Sequence, residues 1–242
     1  VVIDSTLADG SLTYGEHVVP GRVTDEVIVS CHVCHPSLAN DNLAGIAVAV
    51  SLAQQLASAQ PHYTYRFLFM PGTIGSITWL ARNASRIEKV RHGLVLACAG
   101  DPGSLTYKKS RRDDAEIDRV MQHVLRSREH RVVDFSPYGY DERQFCSPGF
   151  NLGVGSLTRT PYAGYPEYHT SADNPGFVSP AAMEDTLGAL RDAFGVLERN
   201  RRYVNLSPYG EPQLGKRGLY DSLGGRSDAK QAQMAMLWVL NL

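Results

Sequence analysis

The feature that most constrains this chain is a regular alternation of short β-branched runs with longer stretches of helical periodicity. Val27-Ile28-Val29-Ser30-Cys31 has the unbroken apolar character of a strand buried on both faces. Leu43, Ile46, Ala47, Val50 and Ala53 then recur at helical spacing through Gln55. The cycle repeats with a strand at Tyr65–Met70, stopped by Pro71-Gly72, and a helix from Ile74 to Ile87. A third strand is expected at Gly93–Cys98, and a helix marked by Ile117, Val120, Met121, Val124 and Leu125 behind Asp113-Asp114 as cap and dipole partner. Leu152–Leu157 reads as a fourth strand. The last helix starts with Ser179 as N-cap and Pro180 at its first position, and carries Met183, Leu187, Leu190, Phe194 and Leu197 on one face. Strands alternating with helices predict an α/β domain with a parallel-rich sheet covered on both sides.

Outside this core, residues 1–20 are rich in turn formers (Asp9-Gly10, Tyr14-Gly15, Pro20-Gly21), which predicts short strands or loop. After Arg201-Arg202 the stretch Ser207 to Gly225 turns to Gly, Pro and Tyr, an extended connector into an element beginning near Ala229. The chain opens and closes abruptly, so it is expected to be a piece of a longer one. At 242 residues it is long enough to bury a core without disulfides or other staples. Its four cysteines are too few for a disulfide scaffold, which points to a reducing cytoplasm. A formal charge of -1 gives no electrostatic ground for nucleic acid or an anionic membrane. Lys108-Lys109-Ser110-Arg111-Arg112 is followed at once by Asp113-Asp114 and reads as a solvated patch. No apolar run is expected to approach the ~20 residues of a membrane span.

The chemistry concentrates in the loop after the first strand, where ligands of α/β sheets bind. Cys31-His32-Val33-Cys34-His35-Pro36-Ser37-Leu38-Ala39-Asn40-Asp41-Asn42 packs two histidines, two cysteines and an aspartate into one segment. Imidazole and carboxylate donors suit Zn²⁺. The plainer role for Asp41 is the N-cap of the next helix. Cys31, Cys34 and His35 also match the C-x-x-C-H haem-attachment pattern, but the motif ends an apolar strand and no export leader is visible. A redox pair of Cys31 and Cys34 would want a helix start at once, and Pro36 and the following loop intervene. A distant loop, Tyr165 to Asn174, supplies His169 flanked by Glu167 and Asp173, either of which would orient it through its second ring nitrogen. Asp141-Glu142-Arg143 offers adjacent carboxylates in another loop. His17, His62, His92, His123 and His130 lack such company. Trp79, Tyr138 and Phe145 read as core more readily than as a specificity pocket.

The order strand, His, Asp41-Asn42-x-x-Gly45, helix, and later Tyr168-His169-Thr170-x-x-Asp173, resembles the zinc aminopeptidase superfamily that also contains glutaminyl cyclases. More narrowly, His32-x-x-His35-Pro36-x-x-Ala39-Asn40-Asp41-Asn42-Leu43-x-Gly45, Pro71–Ser76, Tyr138–Gln144, Pro166–Ser171 and Gly210-Glu211-Pro212-Gln213-Leu214-Gly215 resemble an uncharacterised bacterial family of aminopeptidase-like domains. The resemblance implies a three-layer α/β sandwich with a mixed, mostly parallel sheet over residues 21–202. Residues 1–20 would be the tail of an inserted β-rich segment. Residues 203–242 would be a connector and the start of a truncated winged helix.

By the superfamily pattern Asp41 and His169 are metal ligands, joined by His32 or His35. The pattern's paired glutamates after the second strand are missing, because that segment reads Pro71-Gly72-Thr73. One zinc is therefore expected rather than two, with Glu142 or Asp141 replacing the missing carboxylate. The same residue would act as general base, and Arg143 would steady the oxyanion. The expected substrate is a peptide or small amino-acyl compound, with no nucleic acid or membrane contacted by this domain. The alternative is a catalytically impaired zinc-binding module.

Overall fold

In a computed structural model of the chain, residues 2–206, 208–210, 213–219 and 229–241 are described. They fall into two compact units, the first ending at Arg199 and the second beginning at Asn200. The first unit is built on seven strands, β1 (Gly15–Val19), β2 (Glu26–His32), β3 (Thr64–Met70), β4 (Val90–Leu96), β5 (Leu105–Lys108), β6 (His130–Val133) and β7 (Val154–Thr158). They form one sheet of order β1-β3-β2-β4-β7-β5-β6. β3-β2, β2-β4, β4-β7 and β5-β6 pair in parallel, whereas β1-β3 and β7-β5 are antiparallel. Every residue of β2 is buried, as its unbroken β-branched run requires of a strand covered on both faces.

Helices α1 (Gly45–Ala59), α3 (Glu116–Leu125) and α5 (Pro180–Arg199) pack together on one face, and α2 (Ile74–Arg82) and α4 (Glu142–Phe145) meet on the other. Strand alternation divides the core accordingly. Val27, Val29, Cys31, Phe67, Leu94, Leu96, Tyr107 and Leu157 pack with Leu52, Met121, Leu190 and Phe194 on the first face. Ile28, Leu68, Met70, Val95 and Val154 pack with Trp79 and Phe145 on the second. Fully burying a side chain such as Leu52 contributes about 2 kcal/mol. This is the parallel-rich, doubly covered sheet that the alternation predicts, in the mixed three-layer form that the resemblance implies.

Several expectations need correction. Residues 39–59 reach the length and apolar composition of a membrane span, although no run was expected to come near it. Their apolar side lies on β2, β3, β4 and α5 as a core helix. The single helix expected from Ile74 to Ile87 breaks at Asn83, and a 3₁₀ turn covers Ala84–Lys89. Asp113 and Asp114 do not cap α3. Ala115 holds the N-cap position, and Glu116 and Asp118 supply the acidic first turn. The stretch 108–112 is only partly a solvated patch, because Ser110 is buried and Lys108 pairs with a buried glutamate. Ser179 does cap α5, its hydroxyl accepting the Ala182 N–H at 3.1 Å.

The second unit contains a 3₁₀ turn at Gly215–Arg217 and helix α6 (Ala229–Leu240). Of the expected connector, residues 207, 211, 212 and 220–225 lie outside the described residues, which takes in Glu211 and Pro212 of the Gly210–Gly215 motif.

Candidate metal centre

The site forms where β2 ends and the chain turns into α1. Residues 39–44 make an irregular turn in which Asp41 and Asn42 leave helical φ/ψ, and the Asp41–Asn42 peptide is cis. Two asparagines pin this turn to the end of β4. Asn42 donates from Nδ2 to the Leu96 carbonyl at 3.0 Å and accepts the Cys98 N–H at 3.2 Å. Asn40 accepts the N–H groups of Gly100 and Asp101 and donates to the Asp101 carboxylate at 3.0 Å. The Asn42-x-x-Gly45 spacing has a steric reason, since a Cβ at Gly45 would run into the folded-back Asn42 amide. Asp41 is therefore no N-cap; no side-chain cap bond forms, and its carboxylate is turned into the site.

Three side chains from two distant loops converge there. His35 Nε2 and His169 Nε2 lie 3.0 Å apart, His169 Nε2 is 3.0 Å from Asp41 Oδ2, and His35 Nε2 is 3.8 Å from the same oxygen. Two imidazole nitrogens aimed at each other can share only one proton, so their contact calls for a proton or a cation between them. A point about 2 Å from all three atoms exists, which is the length of a Zn–N or Zn–O bond. The three donors form the one group of metal-ligand type among the described residues. His35 is 26% and His169 49% exposed at the side chain, so the cluster opens to solvent on one side. Three ligands with an open position is the arrangement of catalytic rather than structural zinc.

His32 is placed differently from His35. It is buried, and its Nε2 lies 2.6 Å from the other oxygen of Asp41, so the two histidines hold opposite oxygens of one carboxylate. Burial pushes the Asp41 carboxyl up. The hydrogen bond and charge of His32, with the charges of His35 and His169, outweigh burial and hold it below its ordinary range. Behind His32 stands the Tyr140 ring, its centroid at 4.5 Å. Tyr140 Oη is 3.0 Å from Cys34 Sγ, which also accepts the Gly72 N–H at 3.1 Å. A Cβ at Gly72 would collide with the Tyr140 ring. Tyr140 thus fills the space beside Gly72, where the superfamily pattern has a carboxylate.

The Asp141-Glu142-Arg143 trio is near but not in the cluster. Asp141 is buried and accepts the Ser76 hydroxyl at 2.8 Å through Oδ1, while Oδ2 has no partner among the described residues. Burial pushes its carboxyl up to about 6, against the Ser76 hydrogen bond and the His32 charge. Glu142 is also buried, and accepts from Lys108 Nζ at 2.9 Å and from the Tyr140 N–H. Arg143 is exposed. Neither carboxylate bonds to the cluster, so His35, rather than Asp141 or Glu142, stands beside His169 and Asp41 as the third donor.

Asp173 is the functional contact that sequence reasoning placed wrongly. Instead of orienting His169, its buried carboxylate accepts the backbone N–H groups of Asn40 at 2.6 Å and Asp41 at 3.1 Å. It ties the loop carrying His169 to the turn carrying Asp41. Glu167 makes no side-chain bond to His169 either. His169 is instead stacked on Tyr168, with ring centroids 3.9 Å apart. His169 and Cys98 both adopt left-handed backbone, at φ +56 and +45. Each costs about 1–2 kcal/mol for a non-glycine residue, and such strain gathers at functional sites.

The mixed, parallel-rich sheet and its helical layers form an aminopeptidase-like α/β fold. The zinc aminopeptidase of Bacillus subtilis shares this fold at a TM-score of 0.64 and 17% identity, over 77% of this chain and 51% of that one. A crystal structure of a Clostridium acetobutylicum protein described as a peptidase matches at a TM-score of 0.83 and 45% identity, over 98% of this chain and 53% of that one. A curated Clostridium acetobutylicum relative is 48% identical over all of this chain and 56% of its own length. Its name assigns it to polysaccharide biosynthesis and to an aminopeptidase-like domain. The chain thus spans little more than half the length of these two. It belongs to the family described as a domain of unknown function, DUF4910, which matches residues 4–200, and residues 201–242 match a winged helix-turn-helix model.

Proposed function

We propose that this domain is a zinc-dependent, aminopeptidase-like hydrolase acting on an amide or peptide bond, with one ion held by His35, Asp41 and His169. The observation that carries the reading is the convergence of those three donors around one point at zinc-ligand distance, open to solvent on one side. When bound there, zinc would lower the pKa of a water toward about 7 and polarise a carbonyl. The protein's part is to hold the donors still. His32 fixes one Asp41 oxygen and leaves the other for the metal, and Asp173 fixes the Asp41 backbone. Asp141 is the group we assign to accept and return a proton, because burial raises its carboxyl to about 6 and its Oδ2 has no partner among the described residues. Glu142 is committed to Lys108, and the base role proposed for it from sequence passes to Asp141.

Elemental analysis of the parent, His35→Ala, Asp41→Ala and His169→Ala tests the metal assignment. About one zinc per chain in the parent and a loss in all three variants is expected. A parent that takes up no zinc on reconstitution would end the hydrolase reading. The substrate panel follows from the neighbours: amino-acyl and peptide amides first, then amides borne on amino sugars, given the name of the curated relative.

A second reading is a binding module that holds the metal without hydrolysis. The observation in its favour is the Tyr140 ring occupying the space beside Gly72. Zinc retained at one per chain with no turnover across the panel would select this reading. Turnover unchanged by Asp141→Asn would remove Asp141 as the base.

A further inference from the structure

On the sheet face that carries α2 and α4, the apolar core stops short of the β5-β6 edge. There, strand alternation aims Thr106 and Lys108 of β5, Arg131 and Val133 of β6, and Ser156 and Thr158 of β7 into a cavity of about 380 Å³. The opposite-facing Tyr107, Val132 and Leu157 of the same strands pack into or against the core. A face meant for a covering helix would be apolar, whereas this one presents hydroxyl, ammonium and guanidinium groups. Tyr138 and Tyr162 add ring walls.

The polar groups are not all occupied by each other. Lys108 is used by Glu142 and the Tyr138 carbonyl, and Asp134 by Lys109. Arg131, and the hydroxyls of Thr106 and Ser156, have no hydrogen-bond or ion-pair partner among the described residues. The Tyr162 hydroxyl is buried without a partner as well. Burial holds that hydroxyl protonated, and Tyr162 is one of the residues lining the cavity. Tyr140 joins the cavity wall to the metal centre, its ring centroid 5.6 Å from that of Tyr162 and 4.5 Å from that of His32. Each vacant group can donate, and among the described lining residues the one formal charge without a partner is the Arg131 guanidinium.

We propose that this cavity is the substrate-side-group subsite of the metal centre, and that it takes a carboxylate-bearing group, met by Arg131 and by the Tyr162, Ser156 and Thr106 hydroxyls. The proposal rests on the metal-centre reading and deepens it by naming the substrate class. A planar guanidinium with nearby hydroxyl donors matches a carboxylate, and such charge-assisted bonds are the strong ones. An aliphatic side group would leave every one of these donors unmet.

The test is calorimetric binding to the zinc-loaded protein of three hydroxamates, which share one metal-chelating group: acetohydroxamate, leucine α-hydroxamate and glutamate α-hydroxamate. The glutamate compound is expected to bind about tenfold tighter than the leucine compound or better. Arg131→Met should bring the two within about twofold while leaving acetohydroxamate unchanged. Tyr162→Phe, which keeps the ring, should reduce the preference in part. Acetohydroxamate binding with no preference for the glutamate compound overturns the subsite. A preference that survives Arg131→Met overturns it too. Failure of acetohydroxamate to bind at all removes the metal-centre reading, and this subsite with it.

Discussion

Replacing Asp173 with asparagine removes one negative charge from a buried position that accepts two backbone N–H groups, those of Asn40 and Asp41. Asparagine keeps the shape but has one acceptor oxygen, so its amide must turn an NH₂ toward one of those N–H groups. Hydrogen bonds to a charged acceptor contribute about 1.5–3 kcal/mol each, and a buried donor left without a partner costs about 1–3 kcal/mol. A total of roughly 3 kcal/mol is expected, divided between global stability and the placement of Asp41. Since supporting contacts of this kind change metal affinity by about 10–100-fold, zinc should bind at least tenfold more weakly. Two assays separate the shares: urea unfolding of the metal-free protein, and zinc competition against a chromophoric chelator. His169→Ala serves as the reference for outright loss of a donor. If Asp173→Asn lowers stability by about 3 kcal/mol yet binds zinc as the parent does, Asp173 is a loop tie alone and its link to the site is refuted. Unchanged values in both assays would mean that the two N–H bonds do not form.

Gly72→Ala should destabilise by about 1–3 kcal/mol through overpacking against Tyr140, and a second change, Tyr140→Ala, should relieve the clash; an additive double mutant in thermal unfolding would contradict this. Lys108→Ala leaves the buried Glu142 with only the Tyr140 N–H, which should cost about 3–5 kcal/mol in urea unfolding, and Glu142→Gln in the same background should recover part of it. Asp141 has its carboxyl raised in the folded state to about 6, so the stability it contributes is complete below about pH 4 and is lost as pH rises through 6. Asp141→Asn removes that loss: the metal-free variant should exceed the parent by roughly 2–3 kcal/mol at pH 8 and match it near pH 4. Parallel pH–stability curves would show that the carboxyl is not raised.

The strands and helices of the core were legible because burial on both faces forces long apolar runs and regular periods. Val27–Cys31, Tyr65–Met70 and the Leu187-Leu190-Phe194 face all carry such a signature. β5 and β6 were not, because strands of only four residues leave too short a pattern, and they admit Lys108 and His130; β1 fell in a stretch read only as short strands or loop. The break at Asn83 and the four-residue α4 left no periodic trace either. At the site, the clustering of His32, His35 and Asp41 and the isolated His169 could be found by residue type alone. Glu142 looked like a free carboxylate because its partner, Lys108, lies 34 positions away and belongs to a run that reads as solvated.

By itself the sequence determined that His32, His35, Asp41 and His169 are of metal-ligand type and that they hang on a layered α/β scaffold, since residue type and periodicity record both. Which oxygen of Asp41 each histidine faces, that Tyr140 takes the space beside Gly72, and that Asp173 grips the Asp41 backbone were decided only by tertiary structure. Those contacts join residues far apart in the chain. Their geometry depends on how the loops close over the ends of the strands, and no local pattern encodes that.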